Sequence, residues 1–149
     1  MDCAFVTTNL SVGPCPDDVA DFEELKLRGI SAILSLQSAE DVENDAGWEP
    51  ATAQAAGLAF RNVPVMDFDS LDLKLRLPRC VQVLDEMVRA GQRIYLHCTA
   101  GVSRSPTVAA AYLHWCMNWP LDEALDHLKK MRNCCPLADV IRSAHWPAQ

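Results

Sequence analysis

The segment Arg93-Ile-Tyr-Leu-His-Cys-Thr-Ala-Gly-Val-Ser-Arg-Ser105 restricts the possible folds of this chain more than any other. Ile94 to Leu96 read as a short buried strand, and the apolar run from Val108 onward reads as a helix starting near Ser105 or Pro106. Cys98 to Arg104 must turn between them. A tight turn from a strand into a helix N-terminus, with Gly101 relieving the steric limit, can aim successive backbone N–H groups into one concavity. The positive end of the helix dipole adds to the field there. Such a concavity binds an oxyanion of phosphate size, which makes Thr99, Ala100, Gly101, Val102, Ser103 and Arg104 candidate phosphate-binding residues. Arg104 has the planar fork that grips two phosphate oxygens at once. Cys98 lies in the same positive field, which favours thiolate over thiol; cysteines in such places titrate at roughly 3.5–7.5 instead of about 8.5.

His97-Cys98-x5-Arg104-Ser105 is the signature of the cysteine-dependent protein tyrosine phosphatase superfamily, and His-Cys-x-Ala-Gly-x-Ser-Arg-Ser resembles its dual-specificity branch. The resemblance implies hydrolysis of a phosphomonoester through a phosphocysteine on Cys98, with no metal or organic cofactor. It assigns Ser105 as the hydroxyl that helps expel Cys98 as thiolate. His97 is expected to tune and position the loop from behind. The chemistry also needs a proton donor for the leaving oxygen. Val63-Pro-Val-Met-Asp67-Phe-Asp69 ends an expected strand in a loop with several carboxylates. In dual-specificity phosphatases the general acid follows a similar apolar-Pro-apolar pattern, which puts it on Asp67, with Asp69 and Asp72 as rivals. As acid it would protonate the leaving oxygen, and as base it would activate the water that cleaves the intermediate.

The remaining pattern alternates strands and helices. Short strands are expected at Phe5–Thr8 and Leu10–Val12. A helix capped by Asp17 or Asp18 follows, with Val19, Phe22, Leu25 and Leu27 at helical spacing and Gly29 as its stop. Ile30–Leu36 reads as an inner strand. Many dual-specificity phosphatases have an Asn near the end of this strand that braces the phosphate loop; Ser35 stands there, which implies a shorter brace or none. Gln37 to Pro50 reads as an acidic, exposed loop, and Pro50 suits the first turn of a short helix through Ala56. Leu58–Val63 is the next strand, and Leu77–Val88 a helix closed by Gly91. After the phosphate loop, the helix of about Ser105–Met117 is apolar nearly all round and should be buried. Asp122–Met131 and Ala138–Ala144 are further helical segments, and His114 is expected to be a core or edge histidine. The alternation implies an α/β sandwich with a mostly parallel central sheet flanked by helices, and the resemblance implies the single-domain protein tyrosine phosphatase-like fold over residues 1–149.

The length of 149 residues suits one such domain. A net charge of −7 argues against nucleic acid or an anionic membrane surface as partner. Seven cysteines, an odd number with no paired metal spacing, and a required free thiolate point to a reducing compartment. With no apolar leader or membrane-length run, the expectation is a soluble, intracellular, cytoplasmic protein, or a plastid one if a transit peptide was removed.

A narrower resemblance covers nearly the whole chain. Leu10-Ser-Val-Gly13, Ile33-Leu-Ser-Leu-Gln37, Asp67-Phe-Asp69, Leu73 with Leu77-Pro78, His97-Cys-Thr-Ala-Gly101 and Arg132-Asn-Cys134 with Pro136 and Ile141-Arg142 look like plant glucan phosphatases and, more distantly, laforin. In those enzymes an aromatic residue just after the general acid lines a channel for the sugar chain, and Phe68 stands in that place. Trp48 is either a lid on the core or a second wall of the substrate cleft. The loop ends Gly-x-Ser103-Arg-Ser-Pro, the protein-phosphatase wording, where the glucan enzymes have Gly. The substrate is therefore a phosphorylated protein or a phosphoglucan. Two rivals remain open: a non-catalytic module that binds phosphorylated partners, and an oxyanion reductase using Cys80, Cys116, Cys134 or Cys135 to resolve Cys98.

Overall fold

The computed structural model describes residues 1–43 and 45–146; residue 44, within the expected acidic loop, and residues 147–149, at the end of the expected domain, lie outside the described part. Five strands form one sheet: β1 (Ala4–Phe5), β2 (Leu10–Gly13), β3 (Ala32–Ser35), β4 (Ala59–Asn62) and β5 (Ile94–His97), in the spatial order β1-β2-β5-β3-β4. Only β1 runs antiparallel to its neighbour. The sheet is the mostly parallel one expected. β1 stops at Phe5, short of the expected Thr8, because Val6 and Thr7 both donate to Leu10 O and close a turn.

Side-chain alternation sorts the sheet residues into two cores. Ala32, Leu34, Ile94 and Leu96 join Leu10 and Val12 on the face covered by α4 (Ser70–Arg89), α5 (Arg104–Cys116), α6 (Leu121–Met131) and α7 (Ala138–Ser143). Ile33 and Tyr95 face the opposite side, where Phe22 and Leu25 of α1 (Val19–Leu27) meet Ala53 of α3 (Trp48–Ala55). Asp18 caps α1 by accepting from Asp21 N–H at 3.1 Å. Val19 and Leu27, expected on the inner face of α1, are exposed. Nine residues make only two and a half turns, and only Phe22 and Leu25 reach the sheet.

Two elements differ from expectation in ways that bear on the site. α4 begins at Ser70, seven residues before the expected start, with Asp69 as its N-cap and Pro78 inside it. The proline forfeits one backbone hydrogen bond. Leu73, Leu77, Val81 and Leu84, buried on one stripe, carry the helix through it. The segment expected as an exposed loop from Gln37 to Pro50 contains the short helix α2 (Ala39–Val42) and the start of α3, and it turns Asp41 and Glu49 inward. α5 is buried at every position from Arg104 to Leu113, as its apolar surround requires. Among the described residues, no helix is long and apolar enough to cross a membrane.

Candidate active site

The central strand β5 pairs with β2 on one side and β3 on the other, with Gly13 and Ser35 both opposite His97. The chain therefore leaves the sheet at its carboxyl edge and reaches α5 through Cys98–Ser103. Ligand clefts form at such edges in parallel sheets. Gly101 adopts φ +69°, and a Cβ there would come within 2.5 Å of the Gly13 backbone, so only glycine fits.

The loop carbonyls reveal its polarity. Cys98 O accepts from His97 Nδ1 (2.8 Å), Thr99 O from Cys15 N (2.9 Å), Ala100 O and Gly101 O from Arg132 (2.9 and 2.8 Å), Val102 O from Cys135 N (2.7 Å), and Ser103 O from Thr107 N (3.0 Å). The first five are engaged by His97, Cys15, Arg132 and Cys135, and Ser103 O opens the hydrogen-bond ladder of α5. In a planar trans peptide the N–H points opposite to the C=O. The six N–H groups from Thr99 to Arg104 are thereby directed to the inner side, forming a cradle with the N-terminus of α5 at its back.

Cys98 is buried at the base of this cradle with its Sγ 3.3 Å from Ser105 Oγ. The Arg104 guanidinium spans the rim. Its Nη1 donates to Asp41 Oδ2 and to Val65 O, both at 2.8 Å, and its Nη2 donates to Asp41 Oδ1 at 2.9 Å. Two longer contacts lie on the remaining edge: Nη2 to Thr99 Oγ1 at 3.3 Å and Nε to Asp67 Oδ1 at 3.4 Å. The short set orients the guanidinium, and the long edge is the one a bound oxyanion can take over. Burial opposes ionisation of Asp41, but hydrogen bonds from Arg104, Thr99 and Ser38 outweigh it and hold the carboxyl well below the usual carboxylate range. Burial alone would likewise lower the Arg104 pKa, and the Asp41 hydrogen bond raises it instead.

Among the acids of the 67–72 segment, Asp67 alone reaches Arg104. Asp69 caps α4 by accepting from Asp72 N (2.9 Å), and Asp72 accepts from Met66 N (2.8 Å) and contacts Arg76. These two rivals are engaged in local structure. Phe68 stands fully exposed beside them at φ +57°, a left-handed backbone that strains a residue with a Cβ. Asp67, Phe68, Leu73, Ser103, Arg104 and Leu137 line a cleft of about 320 Å³.

For Trp48 the sequence leaves a lid on the core and a wall of the cleft both open. It stands edge-on to Phe22 at 5.5 Å between ring centroids and packs on the α1–α3 core. α3 lies across the opposite face of the sheet from α4, and Trp48 is not among the residues lining the 320 Å³ cleft. Ser35 Oγ accepts from Gln37 N and, among the described residues, makes no hydrogen bond to the loop. A brace on the loop is present, supplied by Gln37, whose Nε2 donates to Thr99 Oγ1 at 3.0 Å. Asn62 holds that turn by donating to Ser35 O and Gln37 O.

Sequence reasoning missed Asp41, Gln37, Arg132 and Glu49. Arg132 and Gln37 stand in the sequence only as ends of longer motifs, and Asp41 and Glu49 sit in a polar stretch with no periodicity to mark them. Glu49 Oε2 lies 2.5 Å from His97 Nε2, and both side chains are buried. His114 is an edge histidine, its Nδ1 2.8 Å from Trp119 O. As for resolving cysteines, burial pushes the Cys80 thiol up to about 12 and the Cys116 thiol up to about 11. Both are poor attacking thiols near neutrality.

Comparison with known proteins follows this geometry. The family model "Dual specificity phosphatase, catalytic domain" matches residues 17–142. The amyloplastic phosphoglucan phosphatase DSP4 of Castanea sativa is 34% identical over 145 residues, covering 94% of this chain and 39% of that protein. The chloroplastic phosphoglucan phosphatase LSF1 of Arabidopsis thaliana is 32% identical over 144 residues, covering 95% of this chain and 24% of that protein. The chain thus spans well under half the length of these relatives. Among solved structures, Tk-PTP in its active form superposes with a TM-score of 0.76 at 21% identity, covering 94% of this chain and 90% of that one, which supports the fold alone.

Proposed function

Because the chain belongs to the dual specificity phosphatase catalytic-domain family, we propose that residues 1–149 work as one catalytic domain hydrolysing phosphomonoesters through a phosphocysteine on Cys98. The observation that carries this reading is the cradle of six inward N–H groups over a buried Cys98, rimmed by a pre-oriented Arg104. The phosphoryl oxygens take the N–H groups and the Nε–Nη2 edge of Arg104, replacing its two long contacts. The Cys98 thiolate attacks phosphorus, the P–O ester bond breaks, and Asp67, released from Arg104, gives its proton to the leaving oxygen. Water then attacks the phosphocysteine and loses a proton to Asp67. The P–S bond breaks, and Ser105 donates a hydrogen bond to the departing thiolate. Electrostatic preorganisation does most of the work, since the donors stand in place before substrate arrives.

The substrate class proposed first is a phosphoglucan. Phe68 supports it: an aromatic ring held out by a strained backbone at the mouth of the cleft suits stacking on a sugar ring. Two relatives above 30% identity bear the name phosphoglucan phosphatase. A phosphoprotein is the second reading, favoured by Ser103, whose side chain lines the same cleft.

The test is phosphate release from phosphorylated amylopectin or glycogen beside release from phosphotyrosine and phosphothreonine peptides, with Cys98→Ser as blank. The expected result is that glucan leads and that Phe68→Ala depresses glucan release while sparing a small aryl phosphate. Peptides leading would hand the site to phosphoproteins. A wild-type chain that binds phosphate yet turns over no aryl phosphate would make it a non-catalytic binding module.

A further inference from the structure

We propose that Glu49 is a positioning residue for the phosphate loop, acting through His97 to hold the first carbonyl of the cradle. The inference rests on the proposed phosphatase reading, and it starts from the proton inventory of one buried imidazole. His97 is fully buried, with Nδ1 2.8 Å from the Cys98 carbonyl and Nε2 2.5 Å from Glu49 Oε2. A carbonyl only accepts, so Nδ1 carries a proton. On the other side one further proton lies between Nε2 and Oε2, whether written on the imidazole or on the carboxyl. Either way the pair is neutral overall, and both ring nitrogens are satisfied in a buried site.

Without Glu49 the Nε2 side of this buried ring loses its partner, and the ring can turn or change tautomer. A neutral imidazole has two tautomers, and the one with its proton on Nε2 would present a lone pair at Nδ1 to the lone pairs of Cys98 O. That would release the peptide joining Cys98 to Thr99, the first of the six that aim N–H groups at the oxyanion. Glu49, contributed by the first turn of α3, holds the Nε2 side of the ring, so that with Nδ1–H facing Cys98 O and one proton shared between Nε2 and Oε2 every group from Glu49 to Cys98 O is satisfied. The Tyr95 ring stacks on His97 at 5.8 Å and its hydroxyl is committed to Pro14 O. The Cys15 thiol also lies near Glu49; burial and then the charges of Asp17 and Glu49 raise its pKa, which leaves it protonated.

The experiment combines three readouts. Nitrogen-correlated NMR of wild-type His97 should show a protonated Nδ1; an unprotonated Nδ1 overturns the proposal without any variant. Calorimetric binding of inorganic phosphate reports the cradle independently of turnover. Glu49→Ala should weaken phosphate binding by about tenfold or more, with a parallel loss of kcat/KM on an aryl phosphate. Glu49→Gln, whose amide can donate to Nε2, should recover most of it. His97→Asn keeps a donor toward Cys98 O but cannot reach Glu49, so adding Glu49→Ala to it should cost nothing further. Equal losses from Glu49→Ala in both backgrounds would show that Glu49 does not act through His97. Unchanged phosphate affinity in a folded Glu49→Ala protein would overturn the proposal as well. Should wild type bind phosphate but turn nothing over, the phosphatase reading fails while the binding and NMR arms still judge Glu49.

Discussion

Asp41 and Asp67 contact the same guanidinium in opposite ways. Asp41 grips both terminal nitrogens at 2.8–2.9 Å, whereas Asp67 touches Nε at 3.4 Å. Tight, multiply bonded carboxylates hold structure, and loosely held ones are free to move a proton. We therefore expect Asp67→Asn to slow a substrate with a poor leaving group by about 10²–10⁴-fold while a good leaving group is nearly spared; a uniform loss would give Asp67 a binding role. Asp41→Asn would set an amide N–H against the Arg104 donors and leave the fork without its orienting charge. The expected signature is a raised KM and weaker phosphate binding, read by kinetics and calorimetry on the same sample. Phe68 also belongs to this scale. Its left-handed φ of 57° predicts that Phe68→Gly relieves strain, so its melting temperature should match or exceed that of Phe68→Ala.

Each element contributes by carrying residues to places their sequence neighbours do not suggest. The stretch from Gln37 to Pro50 looks like a solvated acidic loop because it lacks any apolar period. In the fold its short α2 delivers Asp41 to Arg104, its first residue Gln37 braces Thr99, and the first turn of α3 delivers Glu49 to His97. Trp48 is the one aromatic residue in this stretch, and it packs on Phe22. α4 makes the complementary point. Its capping residue Asp69 was a rival general acid by position, and its side chain is spent on the helix N-terminus. Asp69→Ala should lower stability by about 1 kcal/mol, measured by denaturant midpoint, with the leaving-group dependence of catalysis intact. A collapse of that dependence would reopen the assignment between Asp67 and Asp69.

For the molecule as a whole, the two-core sheet holds β5 rigid between β2 and β3, so the loop inherits a fixed base from both faces. The same construction couples the site to stability. The folded Asp41 carboxyl titrates below its unfolded value near 3.9. Its stabilising contribution is thus complete above that pH and fades as pH falls below about 4. Acid unfolding followed by circular dichroism should be less steep in Asp41→Asn, which has no proton to take up at that position.

The sequence by itself determined the strand, the turn and the helix around Cys98, the buried character of α5, and the alternation that makes the sheet mostly parallel. Each of these depends on residues adjacent in the chain: apolar runs, Gly101, the spacing from His97 to Ser105. Tertiary structure alone decided which charged side chains brace the loop. Asp41 meets Arg104 across 63 residues, Glu49 meets His97 across 48, and Arg132 reaches Gly101 across 31. A carboxylate in a polar stretch carries no local mark of its partner, because ion pairing and burial arise only when separate elements close around the same sheet edge.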